Sequence, residues 1–87
     1  MVRKSMEIQL SSGIEARPVA VLVQVASQFE SSVYIESEGR KVNAKSIMGM
    51  MSLGLDMGEM VTVEVNGTDE EVALSKIEEY LSGLQKN

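Results

Sequence analysis

Histidine and cysteine are both absent from the 87 residues. Their absence excludes a His- or Cys-based catalytic triad, a thiolate nucleophile, a zinc site of the usual kind and any phosphohistidine chemistry. No disulfide can form, so stability rests on a small core, and the composition is compatible with a reducing compartment. No apolar run approaches the roughly 20 residues that a membrane-spanning helix requires. The opening MVRKSMEIQ lacks the apolar stretch of a secretory signal. The expected location is therefore the cytoplasm, with no membrane partner. Basic residues are also scarce: 8 Lys and Arg against 13 Asp and Glu give a net charge of −5. That balance speaks against binding nucleic acid by phosphate neutralisation. What is present, 44% apolar and 24% charged residues, is the mixture of a soluble globular protein, and the length suits one domain over residues 1–87.

Residues 2–10 alternate. Val2, Met6, Ile8 and Leu10 share one face, which Lys4 interrupts, and the pattern predicts a half-buried strand ended by Ser11-Ser12-Gly13. Residues 16–29 are apolar on most sides. Their length, the recurring alanines and Pro18 in a first turn favour a helix over a strand. Residues 32–36 read as a strand, 37–39 as a hairpin turn with Gly39 at positive φ, and 40–43 as a short edge strand. Ser46 is a natural N-cap for the helix formers that follow, and Gly49 in place of Glu or Gln excludes a capping box there. Residues 60–66 alternate again, with Val61, Val63 and Val65 on one face. Thr68-x-x-Glu71 matches a capping box ahead of a stripe of Ala73, Ile77, Tyr80, Leu81 and Leu84. Asp69, Glu70 and Glu71 in the first turn and Lys86 near the end complement the helix dipole. The order β-α-β-β-α-β-α predicts an α+β, open-faced two-layer sandwich: a four-stranded antiparallel sheet covered on one face by helices.

Two segments could carry chemistry. After Ser46, six large apolar residues crowd into nine positions, more than a two-turn helix can bury. Met50 and Leu53 are assigned to the core, and Ile47, Met48 and Met51 to a second, exposed face. Such a face is a pliable apolar patch, because methionine is unbranched and polarizable; a short helix buried all round is the competing expectation. A phosphate on Ser46 would meet free amides beside that patch, with Lys45 adjacent, although an N-cap serine needs no function at all. The second segment is Ser11-Ser12-Gly13-Ile14-Glu15-Ala16-Arg17-Pro18, a loop entering a helix, where Arg17 could bind an anion bidentately or simply face solvent beside Glu15. Nothing in either segment implies a metal or a cofactor.

Gly13-Ile14-Glu15-Ala16-Arg17-Pro18 resembles the active-site signature G-[IL]-H-A-R-P of the HPr family, the small phosphocarriers of the bacterial sugar phosphotransferase system. Lys41-Val42-Asn43-Ala44-Lys45-Ser46-Ile47-Met48-Gly49 resembles that family's regulatory-serine signature. The resemblance spans the whole chain and implies the family's open-faced sandwich. Glu15 occupies the position of the phosphorylatable histidine. A carboxylate repels an incoming phosphoryl group where the family uses a neutral nitrogen nucleophile, so the expectation is no relay of phosphate from phosphoenolpyruvate and no enzymatic activity.

The similarity is then to the regulatory, histidine-less members of the family. It implies phosphorylation of Ser46 by HPr kinase/phosphorylase, using ATP or pyrophosphate. The product would bind catabolite control protein A, a LacI-type repressor, as corepressor in carbon catabolite repression, with no direct contact to DNA. By the same resemblance Ile47, Met48 and Met51 supply the apolar contact, Arg17 a polar contact near the phosphate, and Ala20 lies in the same surface. Three alternatives stand beside this one. The patch could serve a metabolic enzyme without phosphorylation; Glu15 could carry an acyl phosphate; and Glu15 could partly imitate a phosphohistidine rather than being a freed position. A homodimer formed by exchanging residues 2–10 through the 11–13 turn is a further expectation.

Overall fold

The computed structural model describes residues 1–9, 16–53 and 58–82, with residues 16–18 described in backbone only. Strands β1 (Val2–Glu7), β2 (Ser32–Ser37), β3 (Arg40–Asn43) and β4 (Met60–Asn66) form one sheet in the order β1-β4-β2-β3. Every pairing is antiparallel, with Met6 opposite Val61, Ile35 opposite Val63 and Ile35 opposite Val42. Period-two alternation sends Val33, Ile35, Val61, Val63 and Val65 inward, each buried. Helices α1 (Ala16–Ser27) and α3 (Glu70–Leu81) cover that face, and the shorter α2 (Ile47–Leu53) packs on β3 and α1. From α1 come Val19, Leu22, Val23 and Ala26, and from α3 Ala73, Ile77 and Leu81. Both sets follow the spacing of one helical stripe. The other face of the sheet is wet, and Arg3 and Lys41 flank Glu64 there at 3.5 and 3.1 Å. The α+β open-faced sandwich expected from the element order is therefore the architecture. Lys4, the interruption of the first strand's inner face, reaches past the core to Glu78 of α3 at 2.6 Å.

Four local expectations are corrected. The first strand stops at Glu7 instead of continuing to residue 10. Ile8 is buried and still exchanges backbone hydrogen bonds with Gly58 and Glu59, just ahead of β4, and the Gln9 amide donates to Leu81 O at 2.8 Å at the end of α3. Leu10, Leu84 and Lys86 lie outside the described residues. Helix α1 ends at Ser27, two residues short of Phe29. Its last donors tighten to i→i−3 bonds, Gln28 N to Val25 O and Phe29 N to Ala26 O. The amides of Glu30 and Ser31 then turn to the Asp69 carboxylate, each at 3.0 Å. The same carboxylate accepts the Ser31 hydroxyl. The capping box expected from Thr68 to Glu71 is not what starts α3. Asp69 itself is the N-cap residue, without a side-chain cap bond, and Glu70 Oε1 accepts the Gly67 amide at 3.1 Å.

The hairpin differs by one residue. Glu38 as well as Gly39 has positive φ, 52° and 81°, the signature of a two-residue type I′ turn between Ser37 and Arg40. A glutamate there carries a left-handed penalty that Asn tolerates better. Glu38→Asn is expected to stabilise the protein by about 0.5–1 kcal/mol, visible as a melting temperature a few degrees higher. An unchanged or lower melting temperature would show that the turn is not strained.

Asp69 also sets an acid dependence. Hydrogen bonds from the Ser31 hydroxyl, then the Glu30 amide, hold its pKa below the ordinary 3.8. Glu70 is lowered from 4.5, first by the Gly67 amide and then by the N-terminal ammonium. A depressed carboxylate pKa contributes stability that is present above the unfolded value and lost as pH falls through the folded one. Urea midpoints are therefore expected to fall as pH drops below about 4, and Asp69→Asn should flatten that fall. Equal slopes in the two proteins would remove Asp69 from the acid response.

Candidate functional site: the Ser46 cap and the outer face of α2

The site is built from the end of β3. The Ala44 side chain is buried and its amide donates to Val33 O at 2.9 Å, which pins the chain to the sheet. Asn43 then organises the bend. Its side-chain oxygen accepts the Lys45 amide at 2.8 Å, and its carbonyl accepts the Ser46 amide at 3.0 Å. Ser46 arrives at the first free amides of α2, and its Oγ accepts Gly49 N–H at 3.1 Å. This is the one-way cap expected from Ser46 followed by Gly49, with no return bond from position 49. An added Cβ at 49 would lie 3.4 Å from Ser46 Oγ and 3.6 Å from Val42 Cβ, ordinary van der Waals contact, so the packing of α2 on β3 leaves room for a small side chain there.

α2 has seven residues and divides as its spacing predicts. Met50 is fully buried, and Leu53 packs partly against the core. Ile47, Met48 and Met51 are 47%, 84% and 51% exposed, on the outer side. These three apolar side chains follow directly on the capping hydroxyl. At the other end Arg40 closes the helix: Nη1 donates to Ser52 O at 2.8 Å and Nη2 to Ser52 Oγ at 3.1 Å. The Ser52 hydroxyl in turn donates to Gly49 O at 2.6 Å. Sequence inspection missed this clamp. The available signal was an arginine just after the Gly39 turn, which the hairpin register carries to the C-terminal end of α2.

The remaining candidates are distributed around this helix. Lys45 is half-buried and its ammonium donates to Phe29 O at 2.7 Å, so its charge is held at the end of α1. Ala20 is half-buried on α1, the helix against which α2 packs. Arg17 lies in the first turn of α1, and its side chain is outside the described residues, as is Glu15 altogether. Among the described residues no group of His, Cys, Asp or Glu is placed to hold a metal ion, and no helix is long and apolar enough to cross a membrane.

The described residues thus build a small α+β open-faced sandwich whose short, serine-capped helix shows apolar side chains to solvent. Residues 2–82 match the family described as PTS HPr component phosphorylation site, and the chain belongs to this HPr family. The HPr-like protein Crh of Bacillus subtilis is 48% identical over 81 residues, spanning 93% of this chain and 95% of that protein. The HPr-like protein Crh of Halalkalibacterium halodurans is 47% identical over 77 residues, 88% and 92% of the two chains. Among solved structures, the phosphocarrier protein HPr from Bacillus anthracis superimposes with a TM-score of 0.89 at 44% identity, covering 92% of this chain and 95% of that one. A crystal structure of Bacillus subtilis Crh superimposes with a TM-score of 0.80 at 45% identity over the full length of both chains, and is described as a dimer with a swapping domain.

Proposed function

We propose that this chain is a non-catalytic regulatory HPr-like protein of carbon catabolite repression, switched at Ser46. HPr kinase/phosphorylase transfers a phosphoryl group from ATP or pyrophosphate to Ser46 Oγ. The phosphorylated form then docks as corepressor on catabolite control protein A, a LacI-type repressor. Ile47, Met48 and Met51 supply the apolar contact and Arg17 a polar contact beside the phosphate, with Ala20 and Lys45 at the margin of the surface. The observation that carries this reading is the hydroxyl at the head of α2, followed by three side chains that the core does not take up. A phosphate there adds about −1.5 to −2 charge next to main-chain donors, which tolerate it. The similarity to proteins named Crh supports the same role. The chain contains no histidine, and Glu15 is an anion where a phosphocarrier needs a neutral nucleophile, so relay from phosphoenolpyruvate is outside its chemistry.

Intact mass after incubation with the kinase and ATP tests the switch. One added phosphate is expected on the wild type and none on Ser46→Ala, and the repressor should bind only the modified protein. Tight binding by the unmodified protein would instead favour a phosphorylation-independent modulator. Ser46→Ala also removes the cap bond to Gly49, a loss of about 1 kcal/mol. Its melting curve therefore belongs beside the binding data, to show that the variant is folded at the assay temperature.

A second copy of the chain is the other partner in this reading. β1 is an edge strand whose ladder runs along β4. Exchange of β1 between two copies would preserve every one of those pairs. The swapped arrangement described for Bacillus subtilis Crh supports it. Light scattering at high concentration is expected to show a dimer, and a strictly monomeric mass would remove the proposal.

A further inference from the structure

We infer that Met48 and Met51 form an oxidation site through which peroxide turns the α2 docking face off, independently of Ser46. The inference rests on the docking role proposed above for that face. Exposure separates the methionines of the described residues sharply. Met48 and Met51 are 84% and 51% exposed, whereas Met50 in the same helix is 0% exposed and Met6 8%. An oxidant in solution therefore meets two thioethers on the outer face of α2 before it meets any in the core.

The step is a two-electron transfer. A sulfur lone pair attacks one oxygen of hydrogen peroxide, the S–O bond forms as the O–O bond breaks, and the departing hydroxide takes up a proton and leaves as water. Sulfur is oxidised to the sulfoxide and peroxide is reduced. Methionine sulfoxide reductases reverse it with a dithiol as reductant, the oxygen again leaving as water. Two of the three apolar side chains on this face are methionines, so the change is not local to one contact. A sulfoxide oxygen holds water firmly and loses it on docking against an apolar partner, whereas a thioether gives up nothing comparable. Ile47 is the one apolar side chain of the face left unchanged. The core keeps its methionines, so the fold persists while the surface changes character. The Ser46 hydroxyl is inert to dilute peroxide. Docking then requires two conditions at once, a phosphate on Ser46 and reduced sulfur at positions 48 and 51.

The test uses the Ser46-phosphorylated protein treated with dilute hydrogen peroxide, with peptide mass mapping and calorimetric titration of catabolite control protein A. Sulfoxide is expected at Met48 and Met51 while Met50 and Met6 remain reduced. Affinity should fall by at least about tenfold, with helical circular dichroism unchanged, and methionine sulfoxide reductases with dithiothreitol should restore it. Met1 and Met60 are also exposed, so the double variant Met48→Leu/Met51→Leu isolates the face: whatever its affinity for the repressor before treatment, peroxide should leave that affinity unchanged. Undiminished binding by protein carrying sulfoxide at both positions overturns the switch, as does an equal loss in the double leucine variant. If the untreated phosphoprotein does not bind at all, the docking reading fails and the switch falls with it. Binding that survives oxidation overturns the switch alone.

Discussion

Met51→Glu is expected to weaken binding of the Ser46-phosphorylated protein to catabolite control protein A by at least about 30-fold. The reason is the combination of position and charge. Met51 lies one helical turn beyond Ile47 on the outer face of α2, with half of its surface in water, so the free protein spends little on the change. Stability should stay within about 0.5 kcal/mol of wild type. In the proposed complex the same position would face an apolar surface, where a carboxylate would be desolvated without a partner. It would also lie on the same short helix as the phosphate, and the two anions repel in a partly dehydrated interface. The measurement is a calorimetric titration of matched phosphoproteins, each shown by intact mass to carry one phosphate. Equal affinities would remove the outer face of α2 from the interface. Ser46 would then have to act through some other surface.

That face could be foreseen because it follows from local geometry. A seven-residue helix laid on a sheet buries one stripe. Met50 and Leu53 fall on it, while Ile47, Met48 and Met51 do not, whatever the rest of the chain does. The strands were equally legible, since Val33 and Ile35, or Val61, Val63 and Val65, leave no doubt about which side faces the core. The Ser46 cap needs only a serine before a run of helix formers. What could not be read were interactions between residues far apart in the chain. Asp69 is 38 residues from Ser31, and its carboxylate ties the start of α3 to the connection between α1 and β2. Lys45 to Phe29 O spans 16 residues, and Arg40 to Ser52 spans 12. In each case a polar side chain joins two elements that its neighbours in sequence do not announce. Lys45 shows the consequence for the site, because adjacency to Ser46 suggested a phosphate partner while the folded chain holds its ammonium at the end of α1. The left-handed Glu38 was hidden for another reason: the register of the hairpin demands the conformation, and glutamate gives no sign of accepting it.

The contact between the α1–β2 and β4–α3 corners leads to the largest stability effect. Gly67→Ala is expected to destabilise the protein by about 2–4 kcal/mol, lowering the melting temperature by roughly 10–20 °C for a chain of this size. A Cβ at Gly67 would lie 2.6 Å from the Ser31 Cα and 2.8 Å from its Cβ. The first of these is backbone and cannot rotate away. Nor is Ser31 free to retreat, since its amide and hydroxyl are both held by Asp69 and the residue is buried. Relief requires the β4–α3 corner to move, which would pull the Gly67 amide from Glu70 and strain the start of α3. Trimming the neighbour discriminates between causes. If only the serine side chain obstructed, Ser31→Gly would rescue Gly67→Ala; because the nearest carbon is main chain, the double variant is expected to be no more stable than Gly67→Ala. Urea denaturation of the two single variants, the double variant and wild type measures this directly. Rescue, or a Gly67→Ala loss below about 0.5 kcal/mol, would show that the two corners have room to separate. The Asp69 clamp would then lose its place as the fixed point between them.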